Sequence, residues 1–363
     1  MNAQTSLNRD LTEDLRRRVL DAAETRTPLA IRGGGSKAFY GRSSAGEPLD
    51  VAAHRGIVSY EPTELYLTAR AGTPLADIEA ALAAGGQMLG CEPPAFGPGA
   101  TVGGMVAAGL SGPRRPYAGA VRDYVLGVRV LNGRGEVLRF GGQVMKNVAG
   151  YDVSRLVAGS LGTLGILLEV SLKVLPRPVA EATLRFELDE ASALRRVNEW
   201  GGQPLPVSAT LWQHGVLHLR LSGAEAAVQA ACARLGGEAL DDATAQALWT
   251  AAREQTLPGF ALEEGEVLWR LSLPSTAPAL GLPGRQLVEW GGAQRWLAGA
   301  IDAQAVCARA VELGGHATAF RGGDRAAGVF QPLAAPLAAV HRRLKQAFDP
   351  AGIFNPGRLY PEL

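Results

Sequence analysis

Gly97-Pro-Gly-Ala-Thr-Val-Gly-Gly104 and Gly159-Ser-Leu-Gly-Thr-Leu-Gly165 are the two stretches around which this chain is organised. Both combine glycines, which let a ligand approach the backbone, with small residues that let neighbouring elements pack closely. Neither contains a side chain that is typical of a nucleophile or a metal ligand. The pattern therefore predicts an elongated ligand, part polar and part apolar, that lies along the main chain.

The composition is that of a globular protein with room for two domains. The chain has 363 residues, of which 47% are apolar and 20% are charged, and its net charge is +1. This balance argues against a nucleic-acid binder that works by bulk positive charge. The cysteines Cys91, Cys232 and Cys307 form no CxxC pair, so we expect neither an iron–sulfur cluster nor a metal site in this chain.

The N-terminal stretch and the hydropathy pattern indicate where in the cell the protein is located. Met1 to Asp10 is polar and has no apolar core of signal-peptide length. No stretch approaches the roughly 20 apolar residues of a membrane span. We expect a cytoplasmic protein, and peripheral association with the inner face of the cell membrane through a partner stays open.

A first glycine loop, Arg32-Gly-Gly-Gly-Ser-Lys37, follows the short apolar strand predicted at Leu29-Ala-Ile31. Three glycines directly after a strand allow positive φ angles and turn several N–H groups toward one point, which suits an anion. An ordinary tight turn has the same composition. Both interpretations of this loop stay open from its residues alone.

The second glycine loop leads into a helix that starts near Thr101 and is rich in small residues. Each glycine in a helix costs about 1 kcal/mol relative to alanine. Such a helix makes sense where a second backbone or an elongated cofactor lies against it, and its N-terminus favours phosphate. The alternative is a tightly packed core helix. A nicotinamide fingerprint does not fit, because Gly97-x-Gly99 is followed by Gly103 rather than by the glycine that GxGxxG requires.

The region from Ala182 onward repeats an order of strand, helix, strand, strand, helix. The segment 226–237 is echoed by the segment 303–315, in which Cys232 and Cys307 occupy similar places. Two such units predict one antiparallel sheet covered by helices. We expect an α+β protein with domains at residues 1–178 and 179–332, and a C-terminal segment, 333–363, that packs back on the first domain.

Several motifs occur together in an order and spacing that resemble the flavoproteins of the vanillyl-alcohol oxidase and p-cresol methylhydroxylase family. They are Arg32-Gly-Gly-Gly-Ser36, Gly97–Gly104, Lys146-Asn147…Gly150-Tyr151-Asp152, Gly159–Ile166 and Phe348-Asp-Pro…Asn355-Pro-Gly357. The resemblance covers about residues 10–178 and the last 25 or so. A closer resemblance is to the smaller FAD-binding subunits of bacterial glycolate oxidases. It rests on Gly109–Asp123, on Phe320–Pro332 and on the short middle domain.

This resemblance implies a two-part FAD-binding domain, with the cofactor's diphosphate between the two glycine loops and its ring at the interface with a smaller cap domain. Arg114, Arg115 and Tyr117 are placed less firmly, toward the flavin, the substrate or a partner. The cofactor contacts that it implies are Arg32, Gly33, Gly34, Gly35, Ser36, Pro98, Gly99, Ala100, Thr101, Val102, Gly103, Gly104, Ser111, Arg114, Tyr117, Gly162, Gly165, Ile166 and Asn355.

Two departures from the family pattern change what is expected. Some members attach flavin covalently to His or Cys, but the first loop has Ser36 and no His, and His54 and Cys91 are poorly placed, so we expect non-covalent FAD. Larger relatives have a His-Gly-Asp-Gly-Asn-x-His type motif in the cap. Here the segment His316–Asp324 lacks the second His and the Asn. A metal or a pair of bases built on that motif is therefore in doubt.

Oxidation of a 2-hydroxy acid needs a base, cations for the carboxylate and a flavin that accepts hydride. Arg321 and Arg325 are candidate carboxylate ligands, and His316 is a candidate catalytic residue. The alternatives are surface or loop-locking arginines and a structural histidine. The sequence identifies no convincing base.

Three functions remain in competition. The first is the FAD subunit of a glycolate-oxidising complex, which oxidises the small 2-hydroxy acid or relays electrons, with a larger FAD-binding subunit and an iron–sulfur subunit as partners. The second is a flavin-fold scaffold whose larger partner performs the chemistry. The third is a stand-alone oxidase of an aldonolactone or another alcohol.

Overall fold

The computed structural model describes residues 8–142, 152–326 and 328–363. The helices and strands of the first half are, in chain order, α1 Thr12–Thr25, β1 Leu29–Arg32, β2 Glu47–Asp50, β3 Ile57–Glu61, β4 Tyr66–Arg70, α2 Leu75–Ala84, β5 Gln87–Met88, α3 Val102–Ala108, α4 Arg115–Ala118, α5 Val121–Tyr124, β6 Val125–Leu131, β7 Val137–Gly141, α6 Val153–Leu156, β8 Ile166–Lys173 and β9 Leu175–Pro176.

The second half contains the longer sheet and the C-terminal helix. Its elements are β10 Ala180–Glu187, α7 Glu190–Gly201, β11 Val207–Gln213, β12 Val216–Gly223, α8 Glu225–Leu235, β13 Glu238–Ala239, α9 Asp242–Glu254, β14 Val267–Ser272, β15 Arg285–Glu289, β16 Gln294–Gly299, α10 Ala303–Glu312, β17 His316–Gly322 and α11 Ala335–Phe348.

A five-stranded antiparallel sheet in the order β3-β4-β8-β6-β7 is the centre of the first half. Its middle strand β8 is buried along nearly its whole length, which explains its almost continuous apolar sequence. The polar residue Glu169 is tolerated there because its Oε1 lies 2.6 Å from the Arg129 Nη1 on β6. Helices α2 and α3 cover one face of this sheet through Ile78 and Met105.

The parallel pair β1–β2 forms a second, smaller part of this half, together with α1 and the chain's C-terminal tail. The Leu29 N–H donates to the Ile353 carbonyl at 2.7 Å, and the Asn355 N–H donates back to the Leu29 carbonyl at 3.0 Å. The Lys345 ammonium on α11 is buried, and it donates to the Asp349 carboxylate and to the Thr163 carbonyl. The tail thus holds β1, the strand from which the first glycine loop begins.

The second half is built on one eight-stranded antiparallel sheet in the order β13-β10-β12-β11-β15-β16-β14-β17. The order is symmetric about the β11–β15 pair: β10, β12, β11 and β13 have the same pairings on one side as β14, β16, β15 and β17 on the other. The second unit has a loop, 273–284, where the first has α7. The α+β class and the helix-covered antiparallel sheet that the sequence predicts are confirmed.

The two faces of this sheet have different neighbours. Trp269 and Ala319 lie under α10, whereas the adjacent Leu268 and Phe320 point to the opposite face and join a core that includes Tyr40, Ala108 and Leu161 of the first half. This alternation is the two-residue period of a strand. It fixes which side chains of the sheet reach the first half of the chain. The limits of the domains stay a prediction.

Candidate cofactor site and cap interface

The first glycine loop lies directly against the second. A Cβ on Gly34 would fall 1.3 Å from the Gly99 carbonyl oxygen, and a Cβ on Gly33 would fall 2.5 Å from the Thr101 Oγ1. Gly35 has a φ of +75° and faces open space. The glycines of this loop therefore serve two ends: close packing of two backbones, and a turn that an L side chain rarely adopts.

Helix α3 extends the second loop and packs closely on the sheet. The Thr101 Oγ1 accepts from the Gly104 N–H at 3.2 Å and caps the helix. A Cβ on Gly103 would lie 2.6 Å from the Ala71 Cβ. The helix has seven residues, so close backbone approach, rather than the dipole of a long helix, is what this segment offers to a ligand.

Asn355 ties the first loop's strand to the loop at 160–165. Its Oδ1 accepts from the Ile31 N–H at 2.7 Å and its Nδ2 donates to the Leu161 carbonyl at 2.6 Å. A Cβ on Gly162 would fall 2.6 Å from that Nδ2. The amide of Asn355 is thus already bonded to backbone on both sides, and its role is to hold the walls of the site in place.

A cavity of about 360 Å³ opens between these three segments, within the range of small-molecule sites. Twelve of the nineteen residues expected to contact the cofactor line it: Arg32, Gly33, Gly34, Gly35, Ser36, Thr101, Gly103, Gly104, Gly162, Gly165, Ile166 and Asn355. Gly99 lies behind Gly34, and Ala100 and Val102 are core residues. Ser111, Arg114, Tyr117 and Pro98 do not line this cavity. The predicted Lys146–Tyr151 motif lies outside the described residues.

The charge lining the cavity is positive. Arg32, Lys37 and Arg358 line it, and no described carboxylate does. Burial lowers the pKa of Lys37 to about 8, against the opposing effect of Glu254, and burial together with Arg32 lowers the pKa of Arg358. Three cations in a partly desolvated site are matched to a diphosphate. The lining residues therefore fit a dinucleotide such as FAD.

Next to the cavity, an aromatic cluster joins the first half to the cap sheet. Phe39, Phe96 and Phe320 lie with ring centroids 5.4 to 6.5 Å apart, and Trp296 contacts Phe320 at 4.9 Å. The Arg321 guanidinium lies 4.8 Å from the Phe39 ring centroid and donates to the Gln255 Oε1 at 3.1 Å. Burial lowers the Arg321 pKa. This arginine is a component of the interface and is not among the residues that line the cavity.

The other two candidate catalytic residues are set apart from the cavity. Arg325 donates to the Ala319 carbonyl at 2.7 Å and to the Phe320 carbonyl at 2.6 Å, so its guanidinium closes its own loop. His316 is exposed at the start of β17, opposite Ser272 on β14. The structure supports the loop-locking interpretation of Arg325 and does not bring these residues together in one site.

Arg114 belongs to an ion network between the two halves of the chain. Its Nη2 lies 2.5 Å from the Glu181 Oε1 and its Nε 3.3 Å from the Glu92 Oε1, while the Arg220 Nη2 lies 2.8 Å from the Glu92 Oε2. Burial alone favours the neutral acid, but the two arginines outweigh it and hold the Glu92 pKa below its usual value. Arg114 thus holds the first half of the chain against the cap sheet.

Ser111 and Tyr117 also make contacts outside the large cavity. The Ser111 Oγ accepts from the Val121 N–H at 3.0 Å. Burial raises the pKa of Tyr117 to about 12, partly offset by a hydrogen bond to Thr210 on the cap sheet. Ser111 lines a second cavity, of about 20 Å³, between the first half and the cap.

That second cavity contains residues that sequence analysis missed. Glu289 and Arg270 lie on β15 and β14, which are separated by β16 in the sheet, and both line the cavity with Gln294 and Gln255. Each is one of several polar residues in its short strand, so neither stands out in the local sequence. Lys37 and Arg358, which line the large cavity, were missed as well. Lys37 is the last residue of the first glycine loop, and that position was the available clue.

Comparisons with known proteins agree with FAD as the cofactor. The family described as FAD binding domain matches residues 10–141, and the family described as FAD linked oxidases, C-terminal domain, matches residues 321–359. Among solved structures, an alkyldihydroxyacetonephosphate synthase superposes with a TM-score of 0.67 at 18% identity, over 95% of this chain and 74% of that one. The match to this structure shows the fold.

Two relatives are similar to this chain in sequence, one over nearly its full length and one over about half of it. Glycolate oxidase subunit GlcE of Escherichia coli is 54% identical over 98% of this chain and 99% of its own length. Glycolate oxidase subunit GlcD of Bacillus subtilis is 32% identical over 48% of this chain and 37% of its own length. Fold and site define an FAD-linked oxidoreductase subunit with a two-part FAD-binding domain and a cap. The chain belongs to the family of glycolate oxidase subunit GlcE.

Proposed function

We propose that this chain is the FAD-binding subunit of a complex that oxidises glycolate, a small 2-hydroxy acid, to the 2-oxo acid. The observation that carries the proposal is the cavity between the two glycine loops, with three lining cations and no described lining carboxylate. The relative at 54% identity is named a glycolate oxidase subunit, and the near-complete coverage of both chains supports the same substrate here.

FAD, when bound, supplies the two-electron acceptor for the substrate. Arg32, Lys37 and Arg358 would neutralise its diphosphate, and the glycine loops would let it lie against the main chain. Neither His nor Cys is among the described lining residues, which supports non-covalent binding. The aromatic cluster keeps water out of the side of the site that faces the cap.

The partners that fit this role are a larger FAD-binding subunit and an iron–sulfur subunit. In the part of the chain that the structure describes, no group of His, Cys, Asp or Glu residues is arranged to hold a metal. The iron–sulfur subunit would supply the metal centre that carries electrons onward. No described helix is long and apolar enough to cross a membrane. We propose a cytoplasmic complex that associates with the inner face of the cell membrane through its partners.

The test is native purification of the tagged chain from its own cells. We expect a second flavoprotein and an iron-containing protein in fixed ratio, glycolate-dependent dye reduction by the assembly, and FAD released into the supernatant on acid precipitation. FAD retained by the precipitated chain would overturn the non-covalent assignment. Absence of dye reduction by the intact assembly would overturn the proposed substrate.

A scaffold role is the second candidate, because Arg321, Arg325 and His316 do not meet in one site and the aromatic cluster fills the interface beside the cavity. In that case the larger subunit oxidises glycolate and this chain's FAD stays oxidised. Separate flavin reduction kinetics for the two subunits distinguish the roles.

A further inference from the structure

The small cavity under the cap is near the cofactor cavity. It is lined on one side by Leu110, Ser111 and Gly112, which follow α3, and on the other by strands of the cap sheet and by α9. Ala108, two residues before Leu110, lines the large cavity. A molecule in the small cavity would therefore lie close to the cofactor site, on the side where the cap meets it.

Glu289 supplies a buried carboxyl group to this cavity. Its side chain is 3% exposed. The Trp296 Nε1 donates to the Glu289 Oε2 at 2.6 Å, and the Gln294 Nε2 donates to the same oxygen at 3.1 Å. Among the described residues no donor bonds to Oε1. One oxygen is thus held in place by the protein and the other is available to a ligand.

Arg270 supplies a cation to the same cavity. It lies on β14, two strands from Glu289, and is partly buried. The described part of the chain gives its guanidinium no hydrogen bond and no ion pair within 4 Å. A partly buried guanidinium without a partner is a favourable place for a carboxylate, which it can bind through two parallel hydrogen bonds.

The surroundings leave Glu289 poised to exchange a proton near neutral pH. Burial raises its pKa to about 7, although Trp296, Gln294 and Arg270 all favour the charged form. The charged groups that line the cavity with it are Arg253 and Arg270. A general base is most effective when its pKa is near the working pH.

We propose that this cavity is the substrate site, in which Arg270 holds the carboxylate of a two-carbon 2-hydroxy acid and Glu289 Oε1 accepts the proton of its hydroxyl. The inference rests on the proposed function. The O–H bond breaks and its proton goes to Glu289. The hydrogen on the carbon leaves with its electron pair to oxidised FAD, and a C=O bond forms in the product.

The size of the cavity sets the selectivity. A volume of about 20 Å³ is the room of a single water molecule. A two-carbon acid is larger than this, so its entry requires the Gln255 side chain, which lines the cavity, to change rotamer, as interface side chains commonly do on binding. A three-carbon acid or a longer one needs still more room, so the site favours the smallest acid.

The test uses the FAD-loaded chain in its native assembly, titrated by calorimetry with oxalate, a two-carbon acid that has no hydroxyl to oxidise. Wild type should bind oxalate and, at pH 7, take up roughly half a proton, because an anion beside Glu289 raises its pKa further. Arg270→Met should weaken binding about tenfold or more. Glu289→Gln should still bind within about threefold but take up no proton.

Flavin reduction by glycolate gives the second measurement. Glu289→Gln should slow it about 100-fold or more and remove the pH step near 7. Glu238 is an exposed residue of the same sheet, so Glu238→Gln is the matched control. Its rate of flavin reduction should equal that of wild type. Because Arg270→Met can affect folding, Arg270→Lys, which keeps the charge but loses the paired donors, should give an intermediate affinity.

The outcomes separate the two claims. Oxalate binding that is absent in wild type, or unchanged in the Arg270 variants, overturns this site, whatever the assembly's activity. Wild-type proton uptake in Glu289→Gln overturns the role of Glu289. A glycolate-inactive assembly that binds oxalate through Arg270 leaves the site standing and overturns the proposed function instead.

Discussion

Gly34 and Gly99 lie backbone to backbone, so close that a Cβ on Gly34 would fall 1.3 Å from the Gly99 carbonyl oxygen. This contact joins the loop that follows β1 to the loop that precedes α3. Each loop lines or supports the same cavity, so the spacing between them sets the width of the cofactor site. No other residue type has room at position 34.

Gly34→Ala is therefore expected to push the loops apart, with a cost of about 3 kcal/mol or more for overpacking, and to abolish FAD retention. The ratio of flavin to protein absorbance after gel filtration measures it. Gly201→Ala, at the end of α7 where a Cβ meets nothing within 4 Å, is the control and should keep its FAD. Full flavin content in Gly34→Ala would show that the loops do not set the site.

Asn355 should contribute more to the free energy of unfolding than a surface amide does, because the oxygen and the nitrogen of its side chain both bond to backbone groups. Asn355→Ala should lower the free energy of unfolding by about 2–4 kcal/mol. Asn355→Asp keeps the acceptor for Ile31 and loses the donor for Leu161, so it should lie in between. Urea denaturation of the three proteins checks the order, and equal midpoints would contradict it.

Glu92 should make stability sensitive to acid. Its pKa is lowered in the folded chain, so its contribution is present above the unfolded value and is lost as the pH falls through the folded one. Glu92→Gln should cost about 3–5 kcal/mol at pH 7, because it leaves Arg114 and Arg220 without their shared carboxylate. The melting temperatures of wild type and Glu92→Gln should converge as the pH falls from 7 to 3. A difference in melting temperature that stays constant over this range would count against the network.

Glu289 should have the opposite pH dependence. Its folded pKa of about 7 lies above the unfolded value, so ionisation opposes folding progressively as the pH rises from about 4.5 to 7. Glu289→Gln should be more stable than wild type at pH 8, by up to about 3 kcal/mol, and equal to it near pH 4. Chemical denaturation at the two pH values tests this, and a variant that is less stable at pH 8 would contradict it.

The parts of the site that sequence analysis predicted are those with a local cause. A glycine run after a strand and a Thr before small residues each dictate local backbone geometry, and Gly34 and Thr101 lie where the pattern implies. The pattern of small residues did not predict where α3 ends. Gly109 adopts a left-handed backbone conformation and ends the helix after seven residues. The symmetric sheet could be anticipated because two sequence segments echo each other.

The parts that could not be predicted depend on contacts between distant segments. Arg114 was expected near the flavin, the substrate or a partner, but its carboxylate partners are 22 and 67 residues away. Glu289 and Arg270 line the same cavity only because β15 and β14 both pair with β16. Burial of Glu289, which raises its pKa, is a consequence of cap packing and leaves no trace in the local sequence.

The most direct test of the account is the visible spectrum of the purified chain, recorded alone and with its native partners, before and after anaerobic glycolate. We expect a flavin band that belongs to this chain and that bleaches on addition of glycolate. A preparation without a flavin band would contradict the assignment of the cavity between the glycine loops as the FAD site. A band that persists with glycolate, even in the assembly, would contradict oxidation at this chain and leave it as a scaffold.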